Sequence, residues 1–425
     1  MTSNDEWIAE ELLELRAKTK NATQNKAGIV SVGDGLIVEN GRVSVAPFYG
    51  FQINFGNSSP SGCISYTGQA ANMSQAERKA WSYGKVKPTV VDKAKIKYDL
   101  KRDNLAKKLD GSNAVLDGTD GQVCASFSPI WWRTTFQGNA TIGLTLDVRL
   151  SEYQQAGYVT AHVFNGKLRP YLHLGMFEAT GDTCDSVYST ELTPAVSRSY
   201  KTFCAQAATK NEGLAEPLYA PETYLTHMMY CNLFVFAYGT LDSQSAVGKG
   251  NVSNSAAIPV GAEALLTANG EYGDKTGGTK HCMALYVCNP WGNVNKFYGN
   301  CMWNNGDFAL ATDQSAAFDI ELGWANKPAS WHTFTPGIGT AMSGAYITQF
   351  SGDAHAPFFP SAASGGDSGS YACDTCYSAA GEKCCLGGGS WSAGAAAGLF
   401  HVSVHNALSA AGSSLGARLQ ALDAN

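Results

Sequence analysis

Charge is scarce in this chain. Asp, Glu, Lys and Arg make up 16% of 425 residues, against an ordinary ~25%. With 44% of residues hydrophobic, much of the surface has to be built from Ser, Thr, Asn, Gly and Tyr. Such a surface suits hydrogen bonding and adaptable contact rather than electrostatic steering. The net charge of -6 gives no basic excess for nucleic acid or an anionic membrane. Long hydrophobic runs are absent too: "MMYCNLFVFAYGTL" is too short and too interrupted to span a bilayer. The N-terminus, "MTSNDEWIAEELLELRAKTK", has no basic stretch followed by an apolar one, so no signal peptide is read there. The 12 cysteines are then expected to be reduced thiols, packed as small hydrophobes.

Familiar catalytic strings are missing as well. There is no P-loop, no dinucleotide fingerprint and no H-E-x-x-H. "GGDSGS" places Ser368 in a protease-like string, with His162 upstream. A triad is defined by geometry rather than by four letters, and the Gly-rich flanks describe a loop equally well. Cys373, Cys376, Cys384 and Cys385 form C-x2-C followed by C-C. Adjacent cysteines rarely share one tetrahedral ion, and no His lies at ligand spacing. "DGTDG" lacks the ligand spacing of a calcium loop. No catalytic residue, cofactor or metal site is read from these strings.

What is present is glycine, 46 residues of it, which points to a turn-rich, β-leaning chain. Residues 5–20 read as a short amphipathic helix, with Ile8, Leu12 and Leu15 on one stripe and Glu10, Glu11 and Glu14 opposite. Alternating apolar residues on either side of "ENG" predict a hairpin. Residues 46–83 read as strand and loop, and short strands alternate with polar loops from 140 to 300. Residues 85–111 are rich in Lys and Arg, but interleaved Asp and the alternation of "KIKYDL" make this a solvated strand face. The expected organisation is an attachment or oligomerisation segment at 1–45, a β-rich region at 46–170 and a binding domain at 171–425.

The C-terminal stretch "GGGSWSAGAAAGLFHVSVHNALSAAGSSLGARL" overlaps a region, 384 to 417, without Asp, Glu, Lys or Arg, and ends on Arg418 and Leu419. In "LFHVSVH" the residues alternate. His401, Ser403 and His405 share one face, and Phe400, Val402 and Val404 the other. The first face is small and polar, the second apolar.

These residues carry a resemblance. "ALYVCNPWGNVNKFYGNCMW" resembles the G-N-V-W-E-W region of formylglycine-generating-enzyme-like C-type lectin folds, with Asn295 and Lys296 where Trp and Glu are usual. "FVFAYGTLDSQSAVGKG" and "DNLAKKLDGSNAVLDGTDGQV" resemble segments of phage tail-fibre receptor-binding proteins. The C-terminal stretch is similar to the variable regions of proteins diversified by retroelements. The resemblance implies an α+β chain with a C-type lectin-like domain and a variable region at about 371–415. It also implies a phage tail-tip adhesin, non-enzymatic and located on the virion tail. Its ligand would be a bacterial surface protein or glycan. Its other partners would be tail proteins and two further copies in a homotrimer, without nucleic acid or membrane insertion. Adenine-directed mutagenesis of codons such as AAY yields Ala, Ser, Gly, His, Cys or Tyr but not Lys, Glu, Gln, Trp or Met.

On that basis the diversified, ligand-binding surface is expected at Tyr371, Ala372, Thr375, Cys376, Ser378, Ala379, Ser392, Ala393, Ala396, His401, Ser403, His405, Ala411, Gly412 and Ser413. Trp391, Leu399, Phe400, Val402, Val404 and Leu408 are expected in the core. Gly387–Gly389 and Gly398 should permit turns or close approach, and Arg418 should anchor the terminal strand. Two alternatives are a diversified bacterial ligand-binding protein outside phage, and a formylglycine-generating-type enzyme using Cys282, Cys288 or Cys301.

Overall fold

The computed structural model describes residues 36–39, 42–139 and 143–424. The helix expected at 5–20 lies outside them. The described residues fall into two compact units. One lies within residues 1–46 and 153–156. It holds the predicted hairpin, in which Leu36–Glu39 pairs antiparallel with Arg42–Val45.

The second unit, 47–152 with 157–425, is β-dominated and loop-rich, with a few short helices, compatible with the expected α+β class. A five-stranded antiparallel sheet runs in the order Val159–Thr160, Trp131–Asn139, Gly143–Ser151, Tyr49–Asn54, Ile64–Gly68. A seven-stranded sheet is ordered Tyr219–Pro221, Leu419–Leu422, Leu172–Gly175, Gln122–Phe127, Val86–Asp92, Lys95–Lys101, Asn104–Lys108. It draws strands from both sides of residue 170, where a domain division was expected. The alternating "KIKYDL" is one of its strands. Lys87 meets the interleaved Asp99 on it, and Lys97 meets Asp120 of a neighbouring turn, as a solvated face requires.

The third sheet carries the C-terminal segment. Its strands run His332–Phe334, Asp307–Leu310, Asn295–Asn304, Glu382–Gly387, Val402–Val404, Thr375–Ser378, Ser343–Tyr346. Val402–Val404 lies parallel to Thr375–Ser378 and antiparallel to Glu382–Gly387.

Several helices stand where strands and loops were expected, among them Tyr200–Ala208 and the two that follow. Gln75–Gly84 opens on a capping box, Ser74 Oγ accepting from Glu77 N and Glu77 Oε2 accepting from Ser74 N. Tyr224–Tyr238 is buried along all fifteen residues. Thr223 Oγ1 accepts from Thr226 N at its start, and Gly239, left-handed at φ 65, ends it. A helix apolar on every side belongs inside a core. Among the described residues no helix is long and apolar enough to cross a membrane.

All 12 cysteines are free thiols, and all but Cys204 are buried. Burial pushes Cys282, Cys204 and Cys376 up to about 12. They pack as hydrophobes, as the residue pattern suggested.

Candidate functional site

The C-terminal segment from 387 to 417 is built in two parts, a fixed backbone and a set of small side chains facing out. Its backbone is tied to distant scaffold at regular intervals. Trp391 N donates to Asn293 O and Asn254 N to Trp391 O, at 3.0 and 2.8 Å. Gly394 N donates to Val252 O, Ser197 N to Gly412 O and Asn295 N to Ser414 O. Gln244 Nε2 donates to the carbonyls of Gly394 and Ala397. None of these bonds uses a side chain of the segment itself.

Gly389 and Gly398 show why the segment needs glycine. Gly389 is left-handed at φ +75, and a Cβ there would sit 2.6 Å from that of Ala397. A Cβ on Gly398 would run into the Asp374 carboxylate. That carboxylate accepts from Phe400 N at 2.7 Å, and burial holds it well above the usual carboxylate range. Leu399 N donates to Ser243 Oγ. The expected core positions Leu399, Phe400, Val402 and Val404 are buried. Trp391 and Leu408 are only half-buried, because both sit in loops at the rim, where one side of each meets solvent.

Of the expected surface positions, Ser392, His405, Ala411 and Ser413 are exposed, and Tyr371, Ala379, Ala393, Ala396 and Gly412 half-buried. Six others are not surface. Ala372, Thr375, Cys376, Ser378, His401 and Ser403 expose no more than 4% each.

The alternation read from "LFHVSVH" holds, but the polar face is covered at His401 and Ser403, while His405 stays exposed. Thr375 Oγ1 lies 3.3 Å from His401 Nδ1, which also bonds Ala396 O at 3.1 Å. The Tyr377 ring lies over His401 and His405, with centroids 5.9 and 5.3 Å away. Cys376 and Ser378 face the other way, in register with Val402 and Val404. Ser378 Oγ bonds Gly339 O and Met342 N.

The exposed set is therefore smaller than expected. Ala395, Ala407 and Ser409, also exposed, belong to it by the same charge-free criterion. Beside it opens a cleft of about 250 Å³ lined by Asp242, Lys249, Lys275, Ser368, Asp374 and Ala395 among others. Its two lysines and Asp242 come from outside the segment, so no property of the segment could have announced them.

Burial lowers His401 from 6.5 to about 4. A group with a depressed folded-state basicity favours the folded chain above its unfolded value and opposes it as the unfolded chain gains the proton. His401 therefore withdraws stability as pH falls from 6.5 to about 4. We expect His401→Gln to lack this loss, so that urea melts of the two proteins converge, or cross, on acidification through that window.

The other strings resolve into structure. His162 is buried, with its ring nitrogens at Phe127 O and Thr160 Oγ1, and Ser368 is exposed in a loop whose Asp367 caps its own turn at Gly369 N. No triad forms around them. Cys373, Cys376, Cys384 and Cys385 make no three-ligand cluster among the described residues. The cluster that does form is His332, Asp353 and His355. No spacing in the sequence singled these residues out.

Arg418 does anchor the terminal strand. It is 1% exposed, and its guanidinium donates to the carbonyls of Gly175, Met176, Cys288 and Asn289. Its Nε lies 3.6 Å from Glu222. Lys296, at the position where the resemblance departs, is buried as well. It sits 3.6 Å from Glu178 and donates to Gly292 O and Val294 O. Asn289 and Asn293 donate to the other Glu178 oxygen.

No protein-family model matches the chain, and no curated protein matches it.

Proposed function

We propose that this chain is a receptor-binding adhesin of the phage tail tip, with a C-type lectin-like binding domain whose C-terminal surface is diversified by a retroelement. The observation that carries the reading is the separation of conformation from side-chain identity between 391 and 413. Backbone bonds to Val252, Asn254, Asn293 and Ser197 set the loop path, and Ser392, Ala395, His405, Ala411 and Ser413 stand outward on it. Exposed substitutions on such a frame usually cost within about ±0.5 kcal/mol. A surface of this kind can change its ligand without changing its fold. The buried thiols support a non-enzymatic role, because a nucleophilic cysteine needs a lowered pKa and access. Weak contact per site suits display in several copies, where multivalency raises avidity by ~10²–10⁴. The homotrimer and the bacterial protein or glycan ligand belong to this same reading.

The test is a displayed library randomised at Ser392, Ala393, Ala395, His405, Ala411 and Ser413, selected on intact cells of a panel of bacterial strains. The reading expects folded members with changed strain preference. A library that stays folded yet never departs from the parent's binding would contradict it.

A further inference from the structure

We propose that His332, Asp353 and His355 form a binding site for a divalent transition-metal ion of the zinc class, with three protein ligands and one position open to water. The three side chains come from two elements. His332 lies on the edge strand His332–Phe334, paired with Asp307–Leu310. Asp353 and His355 lie in the loop between Phe350 and Phe359. One ligand atom from each falls within 4.8 Å of the others.

The arrangement is organised before any ion arrives. Asp353 divides its two oxygens: Oδ1 accepts from the backbone N of His355 and Ala356, at 2.9 and 3.2 Å, and shapes the loop. Oδ2 is left to face His332 Nε2 at 2.6 Å. The loop backbone is held from outside, with Trp132 Nε1 donating to Ala354 O at 2.9 Å and Thr134 Oγ1 to Gly352 O at 3.0 Å. The His332 ring stacks on Phe334, centroids 5.7 Å apart at 17°, and lies 4.9 Å from the His355 ring. Ligands fixed by their own neighbours are the usual companions of metal sites.

A plain hydrogen-bonded His–Asp pair accounts for two of the three residues and leaves the third unexplained. His355 Nδ1 is buried and has no hydrogen-bond partner, a costly condition for a polar atom. An ion bound through His355 Nδ1 would satisfy that nitrogen and replace the proton between His332 and Asp353, which leaves to solvent. Two imidazoles and one carboxylate fit zinc and its neighbours better than calcium, which prefers six to eight oxygens. The His332 and Asp353 side chains keep 32% and 14% of their surface, enough for an exchangeable fourth ligand. The site also touches the candidate binding segment: Phe350 and Phe358, which flank Asp353 and His355 on the chain, pack on Phe400 with centroids 5.3 and 5.4 Å away. An ion that ties this loop to the edge strand therefore braces the apolar side of the segment's own strand.

The experiment is calorimetric titration of the chelator-stripped full chain with zinc chloride, with cobalt(II) absorption as a second readout and calcium chloride as a control. Saturable binding of one zinc per chain is expected, together with a visible cobalt band and a raised melting temperature. His332→Ala and His355→Ala should each weaken zinc binding by at least about tenfold, since loss of even an outer partner costs roughly 10–100-fold. Each variant's ion-free melt reports whether it folds, and His355→Gln replaces His355→Ala if that variant does not. No saturable zinc binding, or binding unchanged in the folded His variants, overturns the proposal.

Discussion

Arg418→Met is expected to cost about 3–5 kcal/mol, the range for removing one member of a buried ion pair, and to leave the chain near its unfolding threshold at 37 °C. Met is shorter than Arg but close to it in volume, so the loss is mainly electrostatic and polar. Four carbonyls on two separate segments, Gly175–Met176 and Cys288–Asn289, lose their donor at once. Glu222 loses its counter-charge.

The pH dependence separates these two causes. Burial raises the Glu222 carboxyl to about 7 from an ordinary 4.5, and Arg418 is the largest influence holding it down. An acid with a raised value in the folded chain binds its proton more tightly there. It favours folding below about 4.5, and that advantage disappears as pH rises through about 7. Without Arg418 the loss continues past pH 7, so Arg418→Met should be destabilised more at pH 8 than at pH 6. Adding Glu222→Gln should level that slope while leaving the cost of the orphaned carbonyls. Chemical denaturation at the two pH values, on the three proteins, measures both.

Lys296→Met is the second large effect, again about 3–5 kcal/mol when made alone. It leaves the buried Glu178 charge with two amide donors, Asn289 and Asn293, and no cation. Pairing it with Glu178→Gln removes the charge and keeps a group that can accept from those amides. The double variant is expected to recover most of the loss, because a buried ion pair replaced as a unit is often neutral to stability. A double-mutant cycle by urea denaturation reads the coupling directly. Additive losses would show that Lys296 acts through its bonds to Gly292 O and Val294 O rather than through Glu178.

Much of the local architecture was legible in the residues. The "ENG" hairpin and the "KIKYDL" strand follow from alternation and turn chemistry, and Arg418 next to a charge-free run could only be buried or anchored. The alternation of His401, Ser403 and His405 against Val402 and Val404 was also legible. Its covering was not, because Tyr377 reaches that face from the neighbouring strand and the carbonyl of Ala396 from the preceding turn. The helix Tyr224–Tyr238 escaped for a different reason. A segment apolar on every side has no period, so a buried helix and buried strands look alike. The helix at Gln75 was missed in a region read as strand and loop, although Ser74 and Glu77 stand at the capping-box spacing that marks a helix start. Lys296 and Glu178 stand 118 positions apart in the chain, and His332 lies 21 from Asp353. Pairings of that kind are made by the tertiary fold, not by any spacing.

Deep sequencing of this gene across a natural population would show whether the C-terminal surface is diversified. The account predicts substitutions concentrated at the outward positions Ser392, Ala393, Ala395, His405, Ala411 and Ser413. They should be traceable to adenines in a nearby template copy, with Gly389, Gly398, Phe400 and Arg418 unchanged. Variation spread evenly along the chain, or absent between 391 and 413, would contradict it.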